Sequence, residues 1–375
     1  MIEFVGVTKQ YLYGARVLGA VDMKIEDGEI IAVIGCEQSG KTSFLKVLTG
    51  VTDCEGQVLF DGNPVNTKTD DVIMQFDDLA LFKHKTVYNN LAYPLKLRKF
   101  DTAEIDCRVR RVADMLGITA CLFSQAGKIS LLDQKRMALA RLFIRDARLL
   151  VLDNPTFGLT RDDAVALWAD LAPLLLDVSK KGVTVVYSTS NIGEAISISD
   201  RIVALHAGEV KQIGAYAKIY STPSSGFAAD CVDSAYNLQK AGLSCENGVL
   251  TLCFDKNGKQ IKLNASCFEN KILNGYIGKT VLVGCHADGF MSEASLIDSD
   301  VNYLISESET KTTSEVLQAE TEKVLYAVLS DKGYLHFTEN GFKVLQKEKC
   351  DNVCTLPDTS KATLFDPTNE NSIML

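Results

Sequence analysis

The sequence predicts an α/β domain built around a phosphate-binding loop, followed by a small all-β domain. The first observation is the octapeptide Gly35-Cys-Glu-Gln-Ser-Gly-Lys-Thr42, which has the G-x-x-x-x-G-K-[ST] pattern of such a loop. The second is an alternation of strand-like and helix-like segments through residues 1–235. The third is a change near residues 223–226, after which short strand-like segments are separated by turns. We therefore place the all-β domain at residues 236–375.

Length, charge and cysteine usage narrow the class of protein. A chain of 375 residues, 46% of them hydrophobic, is long enough for two domains with buried cores. The net charge of −9, without a block of Lys or Arg, argues against a nucleic-acid partner. We expect neither a signal peptide nor a membrane-spanning segment. The eleven cysteines show neither CxxC spacing nor a Cys/His metal pattern, so we expect free thiols in a reducing cytosol.

The flanks of the octapeptide favour a phosphate-binding loop over a chance match. The apolar run Glu29-Ile-Ile-Ala-Val-Ile34 before it is typical of a buried strand, and residues 43–49 after it are typical of a helix that ends at Gly50. A strand–loop–helix unit presents backbone N–H groups and a helix N-terminus to phosphate oxygens. In that arrangement we expect Lys41 to reach the β- and γ-phosphates and the Thr42 hydroxyl to ligate Mg²⁺.

The other elements of the α/β domain follow from hydrophobic periodicity. Residues 102–116 and 164–178 are predicted to be helices, and residues 86–145 are mostly helical, which predicts a helical subdomain. Short apolar or β-branched runs predict buried strands at 149–153, 183–187 and 201–205.

The all-β domain is predicted from short strands with turn residues between them, and we expect it to form a small barrel. The predicted strands are 248–254, 260–263, 280–283 and 334–337, and Asn-Gly or Lys-Gly pairs mark the turns. The polar residues 306–314 predict an exposed loop. His286 and His336 stand alone and are interpreted as surface or core histidines rather than as parts of a site.

The chain resembles the ATP-binding subunits of ABC transporters, in particular the carbohydrate-importer (maltose-importer) type with a C-terminal TOBE (OB-like) domain. Lys9-Gln-Tyr11 resembles the A-loop, and Leu149-Leu-Val-Leu-Asp153 resembles the Walker B strand. Arg136–Leu142 resembles the helix after the family signature, and Ser199–Gly208 resembles the strand pair after the switch region. The resemblance is weaker in the C-terminal third, where the family's G-I-R-P-E stretch stands as Gly284-Cys-His-Ala-Asp288.

This resemblance implies an ABC-type P-loop NTPase fold that binds ATP and Mg²⁺. The implied magnesium residues are Thr42 and Asp153, and Tyr11 is expected to stack on the adenine ring. The full set of implied nucleotide-binding residues comprises Tyr11, Gly35, Cys36, Glu37, Gln38, Ser39, Gly40, Lys41, Thr42, Ser43, Asp77 and Asp153.

Two departures from the family's pattern fall on catalytic positions. Asn154 stands where the family has a Glu that deprotonates or positions the attacking water. An amide cannot accept that proton, so a rate factor of about 10²–10⁴ is at risk. Ser190 stands where the family has a histidine that contacts the γ-phosphate, and a hydroxyl is shorter and carries no charge.

Three further departures affect the surrounding loops. The signature L-S-G-G-Q stands as Ile129-Ser-Leu-Leu-Asp133, which adds bulk where glycines let the backbone approach phosphate and places the negative charge of Asp133 there. Asp77 aligns with the Q-loop glutamine, although Gln75 offers an alternative after a shift of register. Thr160 aligns with the D-loop aspartate.

Together these departures predict a subunit that holds Mg-ATP but hydrolyses it poorly. Because the family's subunits dimerise head to tail, we expect a heterodimer with a more complete homologue rather than a homodimer. The resemblance also implies membrane permease subunits as partners, docked near residues 77–85, and a peripheral location at the cytoplasmic face of the membrane. Two alternatives stay open: a fully active ATPase that tolerates Asn154 and Ser190, and a regulator outside transport that uses its β domain to bind proteins.

Overall fold

The computed structural model describes residues 1–65 apart from 12, 13 and 15, then residues 71–232, and then the segments 237–246, 249–256, 259–264, 276–285, 304–305, 334–336, 343–345, 363–365 and 372–373. The chain divides into two compact units, Met1–Tyr216 and Ala217–Leu375. The domain boundary that the sequence places at residue 235 stays a prediction.

The first unit alternates strands and helices, which confirms the predicted α/β class. Its strands are β1 (Ile2–Gln10), β2 (Arg16–Ile25), β3 (Ile30–Ile34), β4 (Glu55–Phe60), β5 (Asn63–Pro64), β6 (Val72–Gln75), β7 (Leu149–Asp153), β8 (Thr184–Thr189), β9 (Arg201–His206) and β10 (Glu209–Gly214). Its helices are α1 (Lys41–Leu48), α2 (Val87–Leu97), α3 (Thr102–Met115), α4 (Leu131–Phe143), α5 (Arg161–Lys180) and α6 (Ile192–Ile198).

A six-stranded sheet in the order β10-β9-β3-β8-β7-β6 forms the centre of this unit. Its neighbouring strands are parallel except for the β9–β10 pair. Every residue of β3, β7 and β8 is buried, as expected for strands covered on both faces. Ile34 pairs with Thr189, and Asp153 pairs with Ser188. The loops after these three strands therefore leave the sheet side by side at its carboxyl edge, where ligands bind in open α/β sheets.

A second, antiparallel sheet in the order β2-β1-β4-β5 shares a hydrophobic core with the central sheet. Helix α1 contributes four buried residues to this core, which also contains residues of β1, β3 and β7. The rings of Phe4 and Phe44 stack in it with their centroids 5.0 Å apart. Burial of Phe44 fixes the helix that directly follows the phosphate-binding loop.

Residues 86–145 contain α2, α3 and α4, and each of these helices begins at a side-chain cap. The oxygens of Thr86, Asp101 and Ser130 accept hydrogen bonds from the backbone N–H groups of Asn89, Ala103 and Asp133. Such caps satisfy donors that the first turn of a helix leaves unpaired. The strong capping residues therefore explain why the predicted and observed starts of α3 agree at Thr102.

The described residues of the second unit are mainly antiparallel strands. Two short helices come first, α7 (Tyr216–Ser221, which begins at the last residue of the first unit) and α8 (Gly226–Val232). Its strands are β11 (Asn237–Glu246), β12 (Val249–Lys256), β13 (Lys259–Asn264), β14 (Thr280–Cys285), β15 (Leu304–Ile305), β16 (Tyr334–His336), β17 (Lys343–Leu345) and β18 (Thr363–Phe365). Six of them form one sheet in the order β15-β13-β12-β11-β14-β18, and β16 pairs with β17.

Several sequence predictions fall outside the described residues. They are the turns at 247–248, 257–258, 332–333 and 340–341, the polar loop at 306–314 and His286. His336 is the last residue of β16. Among the residues that the structure does describe, no helix is both long and apolar enough to span a bilayer.

Candidate nucleotide-binding site

The phosphate-binding loop leaves β3 at Gly35 and enters α1 at Lys41. Gly40 has φ +104°, and a Cβ atom there would lie 2.7 Å from the carbonyl oxygen of Val17. A Cβ atom on Gly35 would overlap the carbonyl oxygen of Leu205. Both glycines of the motif are therefore required by close backbone packing, and Gly40 also by its left-handed conformation.

Two polar residues of the loop, Ser39 and Lys41, are buried. The Lys41 side chain is 8% exposed, and its Nζ donates hydrogen bonds to the carbonyl oxygens of Gly35 (2.7 Å) and Cys36 (2.8 Å). Ser39 is 2% exposed, and its hydroxyl has no hydrogen-bond partner among the described residues. A buried hydroxyl without a partner is costly, so its presence in the loop is the kind of feature that a ligand satisfies.

A cavity of about 510 Å³ opens at this loop. Its wall combines the loop with residues from three other segments of the first unit, and consists of Val17, Glu37, Gln38, Ser39, Gly40, Lys41, Thr42, Ser43, Asp77, Asn154 and Phe157. The predicted site residues Tyr11, Gly35, Cys36, Asp153 and Ser190 do not line it. Phe157 and Val17, which do, were missed from the sequence because nothing local marks them as pocket residues.

Tyr11 lies beside the cavity rather than in its wall. Its hydroxyl is 3.4 Å from the Ser43 Oγ, its side chain is 41% exposed, and the Lys9 ammonium lies 4.8 Å from its ring centroid. An exposed aromatic ring next to a phosphate-binding loop is placed to stack on a planar base.

The carboxyl end of β7 is held by a hydroxyl of the neighbouring strand. Asp153 is 1% exposed and its Oδ1 accepts a hydrogen bond from the Ser188 Oγ at 2.7 Å. The Ser188 Oγ in turn accepts the backbone N–H of Asn154 at 3.0 Å. Asn154 has φ +44°, which asparagine adopts more readily than most residues. Ser188 thus fixes both Asp153 and the turn that aims Asn154 at the cavity.

The residues present fit a magnesium ion. Thr42 is exposed and lines the cavity, and the carboxylate of Asp153 lies at the end of β7, at the same edge of the sheet. Mg²⁺ prefers oxygen ligands, and in nucleotide sites it takes one or two from the protein and the rest from phosphate and water. Thr42 and Asp153 together provide that donor set.

Comparison with known proteins decides the family. The model of the ABC transporter family matches residues 18–157. The trehalose/maltose import ATP-binding protein MalK of Thermococcus litoralis is 31% identical over 274 residues, which make up 70% of this chain and 72% of that relative. The chain belongs to the family of ABC transporter ATP-binding subunits.

Two further matches agree with this assignment. The sn-glycerol-3-phosphate import ATP-binding protein UgpC of Vibrio vulnificus is 32% identical over 272 residues, covering 71% of this chain and 72% of that protein. Among solved structures, the ATP-binding cassette MJ0796 in a post-hydrolysis state with ADP and Pi is 24% identical, with a TM-score of 0.51. That match covers 57% of this chain and 98% of the cassette, and at this identity it shows the fold alone.

At the Q-loop position of this ABC subunit, the cavity contains Asp77 and not Gln75. Gln75 is 4% exposed and lines a different cavity of about 420 Å³, together with residues of α2 and α4. The Asp77 carboxylate lies 3.5 Å from the Lys135 Nζ of α4. The group that faces the phosphate-binding loop from this side is therefore a carboxylate paired with a buried lysine.

Ser190 follows β8 at the same edge of the sheet but is exposed and does not line the cavity. The loop that carries it is anchored by Glu194, a carboxylate that sequence reasoning missed. Glu194 is 4% exposed and accepts hydrogen bonds from the hydroxyls of Thr156 (2.8 Å) and Thr189 (2.7 Å). Burial raises the pKa of Glu194, while these two hydrogen bonds oppose the rise. Glu194, in the first turn of α6, thus ties the loop after β7 to the end of β8.

The degenerate signature forms the start of α4. The Ser130 hydroxyl caps the helix and donates to Asp133 Oδ2 at 2.8 Å, and Arg136 approaches the other oxygen of Asp133 at 3.6 Å. Asp133 is therefore committed to its own helix, whereas the sequence suggested a charge directed at phosphate. Leu131 is 47% exposed. Thr160, at the D-loop position, caps α5 by accepting the Asp163 N–H at 3.3 Å.

Proposed function

We propose that the chain is the ATP-binding subunit of an ABC importer of the carbohydrate type, which binds Mg-ATP and hydrolyses it slowly. One observation carries the proposal: residues 37–42 of the phosphate-binding loop and an amide, Asn154, line the same cavity. The relatives named for import of trehalose/maltose and of glycerol phosphate support the importer assignment.

In this proposal the loop binds the phosphates through its backbone N–H groups and through Lys41. The ammonium exchanges its hydrogen bonds to the carbonyl oxygens of Gly35 and Cys36 for phosphate oxygens, and the Ser39 hydroxyl gains the partner it lacks among the described residues. Thr42 and Asp153 hold Mg²⁺, which when bound neutralises negative charge on the phosphate oxygens. Tyr11 stacks on the base.

Slow hydrolysis follows from what surrounds this binding site. Asn154 can orient a water molecule but cannot accept its proton, which removes a contribution of about 10²–10⁴ to the rate. Ser190 offers no positive charge near the transferring phosphoryl group. These losses slow the chemical step but do not remove the contacts that bind the nucleotide.

Assembly is the second part of the proposal. We infer that the subunit pairs with a more complete homologue and with membrane permease subunits, at the cytoplasmic face of the membrane. In such a pair the exposed Leu131 of the signature segment faces the partner's nucleotide. The second unit is proposed to be a TOBE (OB-like) regulatory domain, an assignment supported by its antiparallel sheet.

The test is a comparison of ATP binding and turnover in the purified chain. We expect wild type to bind a fluorescent ATP analogue in the presence of Mg²⁺, and to release phosphate no faster than Lys41→Met, a variant that loses the phosphate contact. Asn154→Glu restores a carboxylate and is expected to raise turnover by up to about 10²–10⁴-fold. Rapid turnover by wild type, lost in Lys41→Met, would overturn slow hydrolysis; failure of wild type to bind nucleotide would overturn the whole proposal.

An active ATPase is the second candidate, and one observation favours it. Asp77 lines the cavity from outside the phosphate-binding loop, and its carboxylate could act as base in place of a glutamate at position 154. If wild type does turn over ATP, Asp77→Asn separates the two explanations. An active enzyme that uses this carboxylate loses turnover in Asp77→Asn, whereas one that only orients water through Asn154 keeps most of it.

A further inference from the structure

The pairing of Asp77 with Lys135 is not explained by phosphate binding. Asp77 follows β6, is 45% exposed through its side chain and lines the cavity with Lys41 and Thr42. A carboxylate in this place is unfavourable for a polyphosphate, because like charges repel across a cavity that water only partly screens. The Asp77 carboxylate must therefore affect which form of the nucleotide the cavity binds.

Lys135 is the balancing charge. It lies on α4, is 4% exposed, and its Nζ is 3.5 Å from Asp77 Oδ1. Burial lowers the pKa of Lys135, and the negative charges of Asp77 and of the more distant Asp153 oppose that effect. The ammonium therefore owes its charged state partly to the two carboxylates at this end of the sheet.

The balance of these charges depends on whether the nucleotide carries a metal ion. Metal-free ATP would bring about four negative charges into the cavity, whereas a bound Mg²⁺ would cancel two of them. Asp77 repels the first species strongly and the second weakly, because Coulomb energy scales with the product of the charges. Lys135 acts in the opposite sense, since it offsets the charge of Asp77 and attracts phosphate.

We propose that Asp77 is a specificity-determining residue that makes nucleotide binding depend on a divalent cation, and that Lys135 sets the strength of this dependence. The inference rests on the proposed binding of ATP at this cavity and extends it to the choice between metal-bound and metal-free nucleotide. It predicts effects of opposite sign from the two members of one ion pair.

The experiment measures the Kd of a fluorescent ATP analogue for the full chain, once with Mg²⁺ and once with EDTA. The quantity of interest is the ratio of the EDTA value to the Mg²⁺ value. Asp77→Asn is expected to lower this ratio about tenfold, mainly by strengthening metal-free binding. Lys135→Gln is expected to raise it by several-fold. Thermal unfolding reports whether each variant is folded, and Asp77→Asn alone decides the question if Lys135→Gln is not.

A matched pair of control variants separates the local effect from net charge. Asp177 of α5 and Lys181, the residue after its end, form an exposed ion pair of 2.6 Å, and neither lines the cavity. Asp177→Asn and Lys181→Gln change the net charge by the same amounts and should leave the ratio within about twofold of wild type.

The possible outcomes are distinct. A lowered ratio in Asp77→Asn with unchanged control variants supports the inference. An unchanged or raised ratio in Asp77→Asn, or an equal drop in Asp177→Asn, overturns it while leaving nucleotide binding intact. If wild type binds the analogue in neither condition, the proposed function itself fails, and the inference fails with it.

Discussion

The phosphate cradle (residues 35–42) and the cleft wall (Asp77, Asn154 and Ser190) lie at the same edge of the central sheet, yet different physical factors specify them. The cradle is set by backbone geometry, because both of its glycines are packed against carbonyl oxygens of other segments. The cleft wall is set by side-chain chemistry. The glycines of the phosphate cradle therefore cannot change without disturbing the fold, whereas the side chains of the cleft wall can.

Asn154 shows how a catalytic side chain can be exchanged while the fold is kept. Its contact to Ser188 is made by the backbone N–H, so glutamate can make the same hydrogen bond, although the φ of +44° favours asparagine. Asp153 keeps its hydrogen bond to the same hydroxyl. A residue that lines a cavity with its side chain and holds the structure with its backbone can lose its chemistry while the hydrogen bonds of the backbone stay the same.

The largest expected effect tests the support beneath the cradle. Phe44→Ala removes a fully buried ring of α1 that stacks on Phe4, and should lower the free energy of unfolding by about 3–5 kcal/mol. Phe123→Ala makes the same change at a ring that is 71% exposed, and should cost less than about 1 kcal/mol. Urea unfolding measures both; equal losses would mean that α1 is not held by the core.

The second prediction isolates close backbone packing from backbone conformation. Gly40 and Gly182 both have positive φ, but a Cβ atom at Gly182 meets nothing within 4 Å, whereas one at Gly40 collides with the Val17 carbonyl. Gly182→Ala should cost about 1 kcal/mol. Gly40→Ala should cost about 1–3 kcal/mol and also weaken binding of an ATP analogue. If the two variants unfold at the same urea concentration and bind alike, the cradle tolerates more than its geometry implies.

Sequence reasoning located the cradle well because its signal is local. The loop and β7 lie where they were predicted, and the predicted helix 102–116 ends one residue later than α3. Helix α5 begins three residues before the prediction because Thr160, interpreted only as a D-loop position, is also its cap. Local patterns thus fixed which segments form elements, and the caps set their ends.

The contacts of the cleft wall were not predictable, because they depend on which strands are neighbours. Ser188 matters only because β8 lies beside β7 and places it opposite Asp153. Lys135 lies 58 residues after Asp77 in the sequence, and nothing in either segment indicates that the two side chains pair. The antiparallel sheet of β2, β1, β4 and β5 was likewise missed, since its strands are half-exposed and irregular in register.

The third prediction concerns the anchor behind the cleft wall. Because burial raises the pKa of Glu194, the native state keeps its proton at a pH where the unfolded chain has lost it. Its contribution to stability is therefore fully present below the ordinary carboxyl pKa and is lost as pH rises through the raised native pKa. Relative to Glu194→Gln, wild type should lose unfolding free energy as pH increases over that interval, measured by urea unfolding at each pH.

An exposed carboxylate supplies the control of opposite sign. Lys211 lowers the pKa of Glu209 through a hydrogen bond and its charge. The contribution of Glu209 is therefore present above the ordinary carboxyl pKa and lost as pH falls. Wild type compared with Glu209→Gln should thus show the reverse trend. Parallel curves for wild type and Glu194→Gln across the whole range would show that the buried carboxylate does not titrate with folding.

The smallest effect is expected in the signature segment (residues 129–133), where the side chain of Ser130 caps a helix. Ser130 caps α4, so Ser130→Ala should lower the free energy of unfolding by about 1 kcal/mol, while Ser130→Asn, which keeps a capping oxygen, should lose only a few tenths. Thr86→Ala removes the equivalent cap of α2 outside the signature and should cost a similar amount. If Ser130→Ala is neutral while Thr86→Ala is not, Ser130 does not stabilise the fold as a helix cap. The serine then resembles the residues of the cleft wall, whose side chains can change without disturbing the fold.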